Sequence, residues 1–176
     1  NSGDGFFVAG DAPVVTFRVL DGNDNPVDMA DLRQVNLILS GPRGNYQKIL
    51  PAPGGSSTLR IKNTANDGTV TMTGGVPATG TGPFVYTSVE ALPATFPAPA
   101  NDTDAFTYAG GWGELSGRPL TSGSYSVMVY AYRQFTLGDT TYRETSDPGF
   151  FAIRVGSAGG AHLYANLVTD AKCNSC

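Results

Sequence analysis

Apolar and polar residues alternate along most of this chain, with the period of two that is typical of strands burying one face. Residues 14–20 show the pattern most clearly, because Val15, Phe17 and Val19 alternate with polar side chains. Residues 125–133 form the strongest strand candidate and carry bulky side chains on both faces. We therefore expect that strand to occupy the centre of a sheet.

Turn-forming residues separate the other strand candidates. Gly138 and Asp139 stand between two of them and predict a two-residue hairpin loop. The prolines of residues 92–100 remove hydrogen-bond donors, so this segment is expected to be a surface excursion packed by Phe96. The remaining strand candidates are residues 35–39, 46–50, 59–61, 70–72, 84–89, 135–137, 141–143 and 150–155.

The fold class follows from this pattern. No ten-residue segment has the period of a helix, and residues 29–36 allow at most one helical turn. The chain is predicted to be an all-β domain of about eight or nine short antiparallel strands, and both a split Greek-key barrel and an immunoglobulin-like sandwich fit it. We assign the β domain to residues 1–155, and residues 156–176 to a glycine-rich hinge and a tail.

Composition narrows the class of protein. The 176 residues are 40% hydrophobic, which is enough to bury the core of one domain. A formal net charge of -4, without a Lys/Arg cluster, does not suit a nucleic-acid partner. The first residues have neither Met nor the pattern of a signal segment, and Gly, Pro, Ser and Thr are abundant, as in exported β-proteins. We interpret the chain as a mature or excised piece of an exported protein.

Two cysteines carry the most specific chemical signal. Cys173 and Cys176 have the spacing that attaches c-type haem or forms a redox disulfide. Haem attachment needs two thiols two residues apart to meet the two vinyl groups, followed directly by the histidine that binds the iron. The pair by itself also allows a thioredoxin-like disulfide, half of a zinc site, or two thiols without function.

The other candidate sites have simpler structural interpretations. His162 could reach a haem iron as the distal ligand, but an imidazole bonded to nearby backbone is the interpretation we favour. Asp21, Asn23 and Asn25 imitate the start of a calcium loop. The imitation ends at Pro26 and Leu32, which stand where that loop needs Gly and Glu, so a turn bonded to its own side chains is expected.

Aromatic residues and scattered carboxylates complete the set. Trp112, with Phe106 and Tyr108, could form an exposed aromatic platform, but a cover over one end of the core is the interpretation we favour. Four scattered carboxylates are expected to be solvated: Glu90, Asp102, Asp104 and Glu144. An enzyme is not expected, because Ser122 and Ser124 lack the setting of a catalytic serine and a single histidine would have to serve them.

Three segments resemble a known family. They are Thr16-Phe17-Arg18-Val19 with Asp21-Gly22-Asn23-Asp24-Asn25-Pro26-Val27, then Leu37-Ile38-Leu39-Ser40-Gly41-Pro42 followed by Tyr46, and finally Val168-Thr169-Asp170-Ala171-Lys172-Cys173-Asn174-Ser175-Cys176. In this order they resemble the outer-membrane decahaem c-type cytochromes of the OmcA/MtrC type. In that family a β-rich domain of about this size precedes the first haem-binding Cys-x-x-Cys-His. The last segment is the specific part of the resemblance.

The resemblance implies a split Greek-key barrel beside a multihaem domain, on the outer-membrane cell surface of a bacterium. Cys173 and Cys176 would bind haem c covalently in the full-length protein, while no cofactor is expected in these residues alone. The implied partners are the haem domain of the same chain, an outer-membrane porin, other cytochromes and extracellular electron acceptors. The chain departs from the family pattern in holding one histidine and no complete Cys-x-x-Cys-His.

Two functional hypotheses follow. The first is a non-catalytic scaffold domain of an exported multihaem cytochrome, which orients the haem domain for extracellular electron transfer. The second is a secreted immunoglobulin-like binding or adhesion module, with Tyr108, Trp112 and the proline-rich loop as its contact surface and an incidental cysteine pair. A histidine directly after Cys176 in the parent protein would discriminate between them.

Overall fold

Antiparallel strands dominate the computed structural model, which describes residues 5–41, 47–49, 59–97 and 117–156. The all-β prediction is confirmed for these residues, whose helical content is a 3₁₀ turn at Met29–Asp31. The strands are β1 (Val14–Phe17), β2 (Gln34–Gly41), β3 (Gln47–Lys48), β4 (Leu59–Thr64), β5 (Val70–Met72), β6 (Phe84–Thr87), β7 (Gly123–Leu137), β8 (Thr140–Thr145) and β9 (Gly149–Val155).

The strands form two sheets. The larger has seven strands in the order β5-β4-β2-β7-β8, with β3 added to β2 and β9 added to β7. The smaller consists of β1 and β6, paired from Val14↔Thr87 to Phe17↔Phe84. Both sheets are open in the part of the chain that the structure describes, so β5 and the β8–β9 side remain edges of the larger one.

The longest strand, β7, occupies the centre of the large sheet, as its bulky sequence predicted. Its first half lies between β2 and β9, and its second half pairs with β8. The side chains of Tyr125, Val127 and Val129 are 0%, 2% and 8% exposed, and they face the core together. Alternation in the sequence therefore identified the strand and separated its two faces, and the structure shows that the face of Tyr125 is the buried one.

Strands β8 and β9 are two halves of one long partner of β7, separated by a bulge. Tyr132 pairs with Thr145 and Val129 pairs with Gly149, so two β7 residues face three residues, 146–148. The Ser146 N–H donates to the Ala131 carbonyl at 2.9 Å, and the Ala131 N–H donates to Ser146 Oγ at 3.0 Å. One of the three is proline, which has no N–H and is tolerated at such an interruption.

The β7–β8 hairpin has the two-residue loop that the sequence predicted. Leu137 pairs with Thr140, leaving Gly138 and Asp139 as the loop. Gly138 has a φ of +60°, whereas Asp139 does not have a positive φ. This is the pattern of a type II′ turn, which places glycine first and matches the twist of the two strands.

The core lies between the two sheets and extends beneath the loops that follow β1 and β6. Its members are predominantly the inward residues of the strands and a few loop residues: Val15, Val19, Met29, Leu32, Val35, Leu37, Leu39, Ile49, Leu59, Ile61, Val76, Phe84, Tyr86, Leu92, Phe96, Tyr125, Val127, Val129, Ala131 and Val155. Phe96 is 1% exposed, which confirms that it packs the proline-containing excursion onto the body.

Two predicted strands are shorter than the alternation suggested. The first ends at Phe17, after which Val19 remains buried and Leu20 makes an isolated bridge to Pro26. Pairing rather than side-chain alternation decides where a strand ends, because β6 offers β1 four residues of ladder. Similarly, β6 ends at Thr87 and Ser88 donates its side-chain O–H to the Glu90 carbonyl.

A buried lysine ties the 3₁₀ turn to the large sheet. Lys62 of β4 is 2% exposed, and its Nζ donates to the carbonyls of Met29 and Ala30, the latter at 3.2 Å. Desolvation lowers the pKa of Lys62 from its ordinary value, although attraction to Asp28 and Asp31 opposes the shift. Alternation in β4 did not predict a charged residue at a buried position, since the carbonyls that it serves lie about thirty residues away in sequence.

The packing around Gly74 predicts that a larger residue at this position destabilises the protein. Its φ is +66°, and an added Cβ would lie 2.2 Å from the ring of buried Tyr86. Gly74→Ala should therefore destabilise the protein by about 3 kcal/mol or more, combining overpacking with backbone strain. Gly75→Ala is the matched control, because φ is +78° there and nothing lies within 4 Å of the added Cβ. Urea unfolding should show a cost near 1 kcal/mol for the control, and equal costs would contradict the packing described.

The buried Lys62 predicts that the free energy of unfolding depends on pH. Because the folded-state pKa lies below the ordinary value of 10.5, unfolded chains bind more protons as pH approaches that value, and the free energy of unfolding should rise with pH. Lys62→Met should remove this alkaline rise, whereas Arg60→Met, at an exposed position on the same strand, should retain it. Urea unfolding of the three proteins from neutral pH to pH 10 measures the difference, and a rise that persists in Lys62→Met would contradict the assignment.

Candidate functional site

A groove of about 650 Å³ opens along one side of the described structure. One wall is the chain that continues from the end of β1 into the following turn, and the other is β7 with the bulge between β8 and β9. The lining residues are Thr16, Phe17, Arg18, Val19, Leu20, Asp21, Gly22, Asp24, Val27, Leu32, Val129, Tyr130, Ala131, Tyr132, Arg133, Glu144, Thr145, Ser146, Asp147, Pro148, Gly149, Phe150 and Phe151.

An ion pair fixes the end of the groove where the hairpin begins. Arg133 and Glu144 lie directly opposite each other on β7 and β8, and Arg133 Nε donates to Glu144 Oε2 at 2.6 Å. The hydrogen bond and the attraction of Glu144 raise the pKa of Arg133 above its ordinary value. Both side chains are exposed, 41% and 50%, so the pair orients the groove wall more than it stabilises the fold. Glu144 is thus paired across the hairpin and is not an isolated solvated carboxylate.

The turn after β1 is built around one carboxylate. Asp21 Oδ1 accepts hydrogen bonds from the N–H groups of Asn23 and Asn25, at 2.8 and 2.9 Å. These two bonds, first that from Asn25 and then that from Asn23, are the main reason why the pKa of Asp21 lies below its ordinary value. Asp24 takes up the left-handed conformation within the turn, with a φ of 62°. The prediction of a turn bonded to its own side chains is confirmed, and no group of three or more His, Cys, Asp or Glu residues in the described ranges could hold a metal ion.

Aromatic side chains lie open to solvent beside these charges. Phe150 and Phe151 of β9 are 50% and 41% exposed. On the hairpin, Phe135 stacks on Tyr142 with 5.7 Å between ring centroids, and both are 46% exposed. Leu137, near the turn, is 69% exposed. An exposed apolar strip this close to a groove is typical of a surface that contacts another molecule.

The register explains why the hairpin is apolar on one face. In β7, Phe135 and Leu137 continue the odd-numbered series that begins with buried Tyr125. Beyond Tyr132 the strand no longer pairs with β2, because that ladder begins at Gln34↔Tyr132. The odd-numbered residues of β7, which face the core up to Ala131, therefore continue past the core onto the two-stranded β7–β8 hairpin, where they are exposed. On the other face of the hairpin, the Arg143 guanidinium lies 3.8 Å from the centroid of the Tyr132 ring.

The groove combines hydroxyl, carboxylate and guanidinium groups with aromatic rings. Thr16, Thr145 and Ser146 supply hydroxyls, and the charged groups come from the turn and the hairpin. Such a lining can bind a ligand through hydrogen bonds and ion pairs while burying part of it against Phe17 and the β9 aromatics.

Some of the residues singled out from the sequence lie at the groove, and others lie outside the described residues. Asp21, Asn23 and Asn25 form the turn at the groove, as described above. Cys173 and Cys176 lie outside the described residues and remain predictions. The same holds for the other candidates in those parts of the chain: Asp102, Asp104, Phe106, Tyr108, Trp112 and His162.

Sequence reasoning missed the groove itself. Its walls come from segments far apart in sequence: the pairing of β7 with β8 and β9 brings residues 129–133 and 144–151 together, and packing of the small sheet against the shared core adds residues 16–24. One signal was present in the sequence. The segment Ser146-Asp147-Pro148 separates two strand candidates and is too short for a full turn, which is the sequence pattern expected of a β-bulge.

Comparison with known proteins gives no match to a protein-family model, to a curated protein or to a solved structure. Within the described ranges, no helix has both the length and the hydropathy needed to span a membrane.

The Asp21 turn yields a prediction about local order. Asp21→Ala should remove the acceptor of the Asn23 and Asn25 N–H groups and speed the hydrogen exchange of both amides. In the unmodified protein the pKa of Asp21 is lowered, so the carboxylate fully stabilises the turn at pH values above 3.8, the ordinary pKa of the group. This stabilisation is lost as pH falls below that value and through the lowered pKa. Exchange measured by NMR checks it, with Asp24→Asn as the control, because asparagine tolerates the left-handed conformation that Asp24 has in the turn. Unchanged protection at Asn23 and Asn25 in Asp21→Ala would contradict the turn geometry.

Proposed function

We propose that this chain is a non-catalytic β domain of an exported multihaem c-type cytochrome, which holds and orients the haem domain that follows it. The observation that carries the proposal is the segment Cys173-Asn174-Ser175-Cys176 after an all-β body. The two thiols fit thioether attachment to the vinyl groups of haem, and the axial histidine would come directly after them. Haem, when bound, would supply one-electron redox chemistry.

The place where the chain leaves the body supports an orienting role. Val155, the last residue of β9, is 3% exposed and pairs with Gly123 of the central strand. The Gly156 N–H then donates to the Phe7 carbonyl at 2.8 Å. An added Cβ at Gly156 would lie 2.1 Å from Ser122 Oγ, so the chain is closely packed there. The segment that leads to the cysteines thus starts from a fixed point on the core.

The proposal includes the finer fold and the cellular setting. The two open sheets favour an immunoglobulin-like sandwich over a split Greek-key barrel. The setting is the outer-membrane cell surface of a bacterium. Partners would be the haem domain of the same chain, a porin, other cytochromes and extracellular electron acceptors. Because electron transfer between haems depends steeply on distance, a rigid β body would fix those distances.

A second candidate is a secreted immunoglobulin-like binding module. The observation that favours it is the groove, with its exposed aromatic residues and free strand edges. In this case the cysteine pair would be incidental. The two candidates differ in what the parent gene encodes directly after Cys176, since only the cytochrome requires histidine at that position and further Cys-x-x-Cys-His motifs beyond it.

Haem attachment is tested in the full-length protein, expressed in a host with the c-type maturation system. Intact mass and haem staining should show one covalent haem fewer when Cys173 and Cys176 are both changed to Ala. Ser175→Ala, between the two cysteines, is the matched control and should retain the full haem content. A double variant with unchanged haem content, or a parent sequence without histidine after Cys176, would overturn the proposal.

A further inference from the structure

Among the residues that the structure describes, most of the outer edge of β9 has no partner strand. Phe7 donates its N–H to the Arg154 carbonyl at 2.8 Å, and Gly156 donates its N–H to the Phe7 carbonyl at 2.8 Å. The groups of the even-numbered residues therefore point away from β7, since alternate residues of a strand point to opposite sides. By the same alternation, the N–H and C=O of Phe150 and Ala152 lie at the open edge.

Phe7 shows that this edge accepts a strand. It forms a parallel bridge with Val155, using the outward groups at the end of β9. The bridge goes no further along β9 in the described residues, and Gly5 has a φ of +82°, which is outside the extended region. No strand in the described ranges pairs with the edge at Phe150 and Ala152, next to the groove, so this edge can accept another extended chain.

The charges along the groove define what kind of chain would fit. Four carboxylates and two guanidinium groups line it, a formal excess of two negative charges: Asp21, Asp24, Glu144 and Asp147 against Arg18 and Arg133. Glu144 is paired with Arg133, and Asp21 accepts from its own turn. Within the described ranges, the Asp24 and Asp147 carboxylates make no hydrogen bond or ion pair, so they are available to a cationic side chain.

We propose that the groove binds an extended, Lys- or Arg-containing segment of a partner protein, which adds as a strand to the free edge of β9. Main-chain hydrogen bonds to Phe150 and Ala152 would hold the segment. Side chains on its core-facing side would enter the groove, where apolar ones contact Phe151 and basic ones meet Asp24 and Asp147. A second copy of this chain fits less well, because edge-to-edge pairing of two copies would bring two groups of carboxylates together.

Peptide binding tests the inference. The probe is a labelled peptide of about eight residues in which Lys and Val alternate, and its charge reversal has Glu in place of Lys. Fluorescence anisotropy with the 176-residue chain should show the basic peptide binding about tenfold or more tightly than the acidic one, with an affinity that falls in about 0.5 M salt. Equal affinities for the two peptides, or no binding of either, would overturn the proposal.

Variants separate the strand addition from a general charge effect. Ala152→Pro removes an edge N–H that makes no bond to β7, so the fold should remain while peptide affinity falls about tenfold. Thr141→Pro is the matched control, because its N–H also faces outward but lies on β8 outside the groove lining, and affinity should be unchanged. The double variant Asp24→Asn, Asp147→Asn should lose about three- to tenfold for the basic peptide only.

Two results would contradict the proposed mode of binding. If Ala152→Pro is folded by circular dichroism and keeps full affinity, the peptide does not add at this edge. If sedimentation shows the unmodified chain as a dimer that Ala152→Pro dissociates, the edge is occupied by a second copy and not by a basic partner. Neither result depends on Cys173 or Cys176, so this inference and the haem proposal can fail separately.

Discussion

Pairing of β7 on both of its sides is the constraint on which the rest of the described structure depends. Its fifteen residues bond to β2 on one side and to β9 and β8 in succession on the other. Where β7 pairs on both sides its N–H and C=O groups are satisfied, and its odd-numbered residues from Tyr125 to Ala131 are buried. The groove wall, the hairpin and the last strand before the cysteines all take their positions from this one segment.

The sequence predicted this central strand because the physics involved is local. Alternation from Tyr125 to Ala131 separates the two faces of the strand, and Gly138 determines the turn that follows. Both depend on residues within a few positions of each other, so no knowledge of the partner strands is needed. The all-β class and the turn at Asp21 could be predicted for the same reason.

Features that depend on distant residues could not be predicted in this way. Alternation in β4 places Lys62 with exposed Arg60 on the outward side, and only the carbonyls of Met29 and Ala30 explain its burial. The groove depends on the pairing of β8 and β9 with β7, and its charge balance depends on which segments meet there. The lengths of β1 and β6 are set by each other and not by their own composition.

The bulge at Ser146-Asp147-Pro148 has a consequence for solubility. Without it, β8 and β9 would present one flat, continuous outer edge, and such an edge tends to pair with identical molecules and begin aggregation. The extra residue divides that edge into pieces of six and seven residues, so a strand that pairs regularly along one piece meets the bulge before it reaches the other. Proline at the join adds a position without a donor. A β-protein can in this way keep a usable edge while resisting fibrous self-assembly.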